Sequence, residues 1–176
     1  YHPETLDSRN TEISADYVGY TVEHLRKKYN CPVIYLTGAV GGLMTSLHVE
    51  VKSDDGKPLA DGTFAKTERF GHLVGQLAEK ALANASPVKL TPLAARTRNF
   101  YLPIDNPVYV LAFNLGVLKR EAFVWTGDPL RANPIDPRGE PKGKLCVRTE
   151  VGLLMLGDLA IAAIPGEIYP ELVLSK

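Results

Sequence analysis

Two residues at opposite ends of the chain carry the donor types of a metal site. Glu167 follows Ile164-Pro165-Gly166, which in turn follows an apolar run from Leu153 to Ala163 broken only by Gly157-Asp158. That pattern delivers one carboxylate at a strand end, across a Pro-Gly turn, and strand ends are where α/β proteins place their chemistry. His2 stands beside Pro3 in a stretch that reads as loop through residue 16. Zinc accepts both imidazole nitrogen and carboxylate oxygen. Plainer roles stay open: Glu167 also suits the start of a helix begun by Tyr169-Pro170-Glu171, where the backbone dipole favours an anion.

The other candidate groups carry weaker signals. His24, His48 and His72 are scattered, without the close helical spacing of a metal pair. His24 reads as a surface residue beside Glu23 and Arg26, His72 as helix packing, and His48 as the border of a polar loop. Gly38-Ala39-Val40-Gly41-Gly42 lacks the Gly-Lys-Ser/Thr ending of a phosphate loop and the dinucleotide pattern. It is either a tight turn with close backbone packing or a cradle for an anion. Cys31 and Cys146 have no metal spacing and fit a thiol pair or one disulfide.

These residues need elements to hold them. Asp16 can cap a helix running through Tyr29, with Tyr20, Val22 and Leu25 near helical spacing. Asn30 and Cys31-Pro32 end it. Pro32 to Thr37 has the pattern of a short buried strand that runs into the glycine-rich turn. Residues 47–62 contain a polar turn around Asp54-Asp55-Gly56. A second helix is expected from about Thr63 to Asn84, with Phe64, Leu73, Leu77, Ala81 and Leu82 on one face. Val88 to Leu102 reads as extended. Asn106 to Arg120 is either a helix started by Asn106-Pro107 or further strand. Residues 126–143 read as a long irregular loop. Lys144 to Met155 and Leu159 to Ile164 read as a hairpin turned by Gly157-Asp158. Strands mixed with helices predict an α/β protein with a mixed sheet and flanking helices.

Composition narrows the functions. At 176 residues, 45% apolar and 23% charged, the chain is an ordinary globular sequence long enough for a full core. Lys+Arg and Asp+Glu both number 20, which removes the electrostatic footprint of a nucleic-acid binder. Asp158 and several glycines cut the longest apolar stretch below the length that spans a bilayer.

Three segments in order resemble the neutral (non-lysosomal) ceramidase family. They are His2-Pro3-Glu4 with Asn10-Thr11 and Ile13-Ser14-Ala15-Asp16-Tyr17-Val18-Gly19-Tyr20, then Val33-Ile34-Tyr35-Leu36 with the glycine loop up to Leu43, and then Leu159 to Glu167 ending in Pro-Gly-Glu. The resemblance implies a single α/β segment over 1–176, the middle part of a larger catalytic domain. It implies a zinc-dependent hydrolase that cleaves the amide bond of ceramide or a similar lipid or small-molecule amide, and a secreted or periplasmic location. His2 and Glu167 would bind Zn2+ close together in space, and Asp16 would orient a ligand from behind. The family's serine after the glycine loop is replaced by Met44, whose thioether neither donates a proton nor forms an acyl ester. Thr45 and Ser46, shifted along the chain, would then hydrogen-bond the substrate carbonyl. The resemblance supplies two of the four zinc ligands within this chain, so the segment by itself is expected to be inactive. A non-catalytic relative and a serine hydrolase using Ser46 or Ser14 are the rival readings; neither serine lies in a Gly-x-Ser-x-Gly elbow.

Overall fold

A computed structural model describes residues 1–42, 45–135 and 143–174, and the chain forms two compact units. Met44 and part of the irregular 126–143 loop lie outside the described residues. Helices combine with a five-stranded sheet whose ladders are all antiparallel, an α/β protein.

The first unit comprises residues 1–87 and 167–176. Its helix α1 (Asp16–Tyr29) ends where Asn30 turns left-handed at φ 48° and its N–H donates to the Arg26 carbonyl. Asn tolerates that conformation better than most residues, which is why the sequence stops the helix there. Helix α2 (Phe64–Leu82) starts under the Thr63 hydroxyl, which accepts from the Lys66 N–H. The buried face of α2 is not the expected one. Lys66, Thr67, Phe70, Gly71 and Gly75 are buried, while Phe64, Leu77 and Leu82 are exposed. Close approach explains this. A Cβ on Gly71 would come within 2.6 Å of the Tyr17 carbonyl oxygen and the Tyr20 Cβ, and one on Gly75 within 2.6 Å of the His24 ring. The two glycines, four apart, let the backbones of α1 and α2 meet, so the contact follows small residues rather than large ones. The Thr21 hydroxyl donates across it to the Gly71 carbonyl at 2.9 Å. His24 is accordingly half-buried rather than superficial, with Nε2 2.8 Å from Glu79.

Tyr17, Val51 and Phe70 form the core of this unit, with Val18, Tyr35, Leu59, Leu73 and Val74 packed around them. Tyr17 and Phe70 meet edge to face at 5.0 Å, a favoured aromatic geometry. The Tyr17 hydroxyl donates to the Tyr1 carbonyl and pairs with the Tyr35 hydroxyl. Burial first, and then Tyr35, hold the Tyr17 phenol above its ordinary pKa. Residues 32–37 do not form the expected strand. Their side chains alternate, with Val33 and Tyr35 half-buried and Ile34 and Leu36 83% and 61% exposed, but among the described residues no ladder joins them to a neighbour. Alternation sets which side chains turn inward; a strand also needs a backbone partner.

The second unit, residues 88–166, is built on the sheet. Central strand β4 (Leu145–Leu156) pairs along its length with β1 (Leu93–Pro103). Its other edge takes β2 (Phe123–Trp125), continued by β3 (Ala132–Pro134), and then β5 (Leu159–Ala163). The expected hairpin is present. Gly157 turns it at φ 58°, where an added Cβ would lie 1.9 Å from the Lys89 carbonyl oxygen. The ambiguous 106–120 stretch opens with helix α3 (Pro107–Asn114), because the Asn106 side chain accepts from the N–H groups of Val108 and Tyr109 and Pro107 needs no partner. Both cysteines are free thiols; Cys31 is exposed, and burial raises the pKa of Cys146. Among the described residues, no helix is long and apolar enough to cross a membrane.

Candidate functional site

His2 and Glu167 belong to the first unit and lie side by side there. His2 Nε2 is 3.6 Å from Glu167 Oε2 and 3.1 Å from the Val40 carbonyl oxygen. Three segments make this meeting possible. The first is the His2 segment, joined to Thr45 by a parallel bridge. The second is the glycine loop. The third is the turn after Glu167, whose Ile168 carbonyl accepts from the Gly41 N–H at 2.8 Å.

Glycine is required where the last two segments touch. A Cβ on Gly41 would lie 2.5–2.7 Å from the backbone of Glu167, Ile168 and Tyr169. One on Gly42, at φ 79°, would meet the Tyr169 ring at 2.8 Å. Backbone cannot yield as a flexible side chain does, so the loop is of the closely packed kind. Gly41→Ala is expected to destabilise the first unit by about 1–3 kcal/mol, the range for overpacking. Thermal unfolding measures this, and an unchanged midpoint would mean that the turn does not seat on the loop.

Asp16 works from behind His2. Its carboxylate accepts from the N–H groups of Thr5 at 3.1 Å, Leu6 at 3.0 Å and Tyr17 at 2.7 Å. It therefore fixes the backbone just after His2, not the imidazole itself. Its own backbone is left-handed at φ 52°, a conformation that Asp tolerates better than most residues. Ser46 is fully buried, with its hydroxyl 2.6 Å from that of Thr5. Thr45 is half-buried, and its hydroxyl oxygen accepts from the Leu47 N–H, a contact that does not use the hydroxyl hydrogen. The Ser14 hydroxyl accepts from the Asp16 N–H. Lys66, Asp61 and His48 form a further cluster that the sequence pattern does not signal, because it joins a helix and two separate turns.

The His2–Glu167 pair suits a metal in donor type and in spacing. Two donors of one tetrahedral zinc, each about 2 Å from it, stand roughly 3.3 Å apart. The observed 3.6 Å is close to that. The Val40 carbonyl calls for a proton on the same ring nitrogen, and a metal ion would replace that proton. Among the described residues, no group of three or more His, Cys, Asp or Glu side chains gathers to hold a metal. The pair alone would supply at most two positions of a coordination shell. No known protein family, curated protein or solved structure matches this chain.

Proposed function

We propose that this chain carries part of the centre of a zinc-dependent amidohydrolase acting on an amide bond of the ceramide-like, N-acyl type. One observation carries the reading: an imidazole and a carboxylate from opposite ends of the chain lie 3.6 Å apart. The resemblance of the three ordered segments to neutral ceramidases supports it.

His2 and Glu167 would hold the ion. Bound there, zinc supplies Lewis acidity toward an amide carbonyl or a water molecule. The Glu167 carboxylate offsets its charge. To bind through Nε2 as a neutral imidazole, the His2 ring would carry its single proton on Nδ1 and release its hydrogen bond to the Val40 carbonyl. Asp16 keeps the backbone after His2 in place through three N–H bonds. Thr45 is the better placed of the two hydroxyl residues to donate to the substrate carbonyl oxygen. Ser46 is buried against Thr5, which is no base, and this weighs against the serine-hydrolase alternative.

A non-catalytic binding protein is the second reading. The His2–Val40 hydrogen bond favours it, since that bond gives His2 a structural role without a metal. Chelator-treated full-length protein assayed on a fluorogenic ceramide and on a short N-acyl amide, with and without added zinc, separates the two. Zinc-restored hydrolysis is the expected result. Zinc binding without hydrolysis of either substrate would favour the binding protein, and absence of both would remove the metal reading.

A further inference from the structure

Tyr17, the second residue of α1, is 2% exposed, yet its polar end is fully engaged. The hydroxyl donates to the Tyr1 carbonyl at 2.8 Å and stands 2.9 Å from the Tyr35 hydroxyl. A phenol has one hydrogen, and a carbonyl only accepts. The Tyr17 hydrogen therefore goes to Tyr1, and Tyr35 must donate to the Tyr17 oxygen. The result is a directed chain, Tyr35 to Tyr17 to Tyr1. Hydrogen bonds in such a chain polarise one another, and a low-dielectric interior strengthens them. Phe70 seats both ends of this contact, edge to face with Tyr17 at 5.0 Å and with Tyr1 at 6.1 Å.

Both ends of the chain lead to His2. The Tyr1 carbonyl belongs to the planar peptide unit that contains the His2 nitrogen, so holding that oxygen sets the plane from which His2 departs. Asp16, the neighbour of Tyr17, holds the N–H groups of Thr5 and Leu6 on the far side. Two consecutive residues of one helix start thus clamp the backbone before and after His2. At the other end, Tyr35 stands five residues before Val40, whose carbonyl oxygen is 3.1 Å from His2 Nε2. The next residue, Gly41, donates to the Ile168 carbonyl beside Glu167.

We propose that Tyr17 is a positioning residue for the metal pair: its hydroxyl holds the peptide before His2 and, through Tyr35, the segment that leads to Val40. The inference rests on the zinc reading above. Tyr17 contacts neither ion nor substrate and transfers no proton. Its part is to remove freedom from the His2 segment before the ion arrives, so that less is lost on binding.

Zinc affinity of the full-length protein, measured by competition with a chromophoric chelator, tests this. Tyr17→Phe keeps the ring against Phe70 and removes only the hydroxyl. It should weaken zinc binding by about 10–100-fold, the usual cost of losing a group behind a ligand, and excess zinc should restore hydrolysis of a short N-acyl amide. Tyr35→Phe keeps the bond from Tyr17 to Tyr1 and should weaken zinc binding less. Val51→Ala takes bulk from the same core and leaves both hydroxyls in place. It should lower the thermal midpoint without changing zinc affinity. Unchanged affinity in folded Tyr17→Phe would overturn the proposal and leave the zinc reading intact. An equal loss in Val51→Ala would also overturn it, because core stability alone would then set the affinity. If Tyr17→Phe does not fold, Tyr35→Phe decides: zinc affinity equal to that of the unmodified protein overturns the proposal. Absence of zinc binding by the unmodified protein would end the zinc reading and this inference together.

Discussion

If His2 and Glu167 hold zinc as proposed, Glu167→Gln in the full-length protein is expected to leave it folded, to weaken metal retention and to abolish hydrolysis. The substitution keeps the shape of the side chain and removes the charge that would offset the ion. The Glu167 side chain is 69% exposed, so stability should change by no more than about 0.5 kcal/mol. Loss of a hydrogen-bonding partner outside the ligand shell already costs roughly 10–100-fold in metal affinity. Loss of a ligand should exceed that. Atomic absorption on dialysed protein reads the metal, and a fluorogenic ceramide with a short N-acyl amide reads the activity. Zinc content equal to that of the unmodified protein would exclude Glu167 as a ligand.

Asp16→Ala should produce the largest loss of stability. Three buried N–H groups, on Thr5, Leu6 and Tyr17, lose their acceptor together. Each orphaned donor costs about 1–3 kcal/mol. Alanine must also adopt the left-handed backbone of position 16, for roughly 1–2 kcal/mol more. A loss of about 4 kcal/mol or more approaches the whole stability of a small domain. Asp16→Asn should lose clearly less, because asparagine tolerates that backbone and keeps one acceptor oxygen. Urea unfolding of the two variants beside the unmodified protein checks the order. Equal midpoints for Asn and Ala would mean that the carboxylate does not hold the His2 loop.

Local signals made much of the frame legible. Asn30, Asn106-Pro107 and Gly157-Asp158 each act on their own neighbours, and each marks an end or a turn of the structure. What depends on distant partners was less legible. The face of α2 could not be read from its leucines, because Gly71 and Gly75 decide it by what they leave out. Residues 32–37 have the alternation of a strand without a paired backbone beside them. At the candidate site, spacing alone said nothing of His2 meeting Glu167; that expectation came from the resemblance. The burial of Lys66 was hidden because lysine is seldom fully buried. Nothing local to His48, Asp61 or Lys66 says that they touch.

The seal between α1 and α2 also decides where the first unit can deform. With Gly71 against the Tyr17 backbone and Gly75 against the His24 ring, neither helix can slide along or roll on the other without collision. Close-packed interiors shift between discrete arrangements and do not flex continuously. The helix pair is therefore a stiff rail.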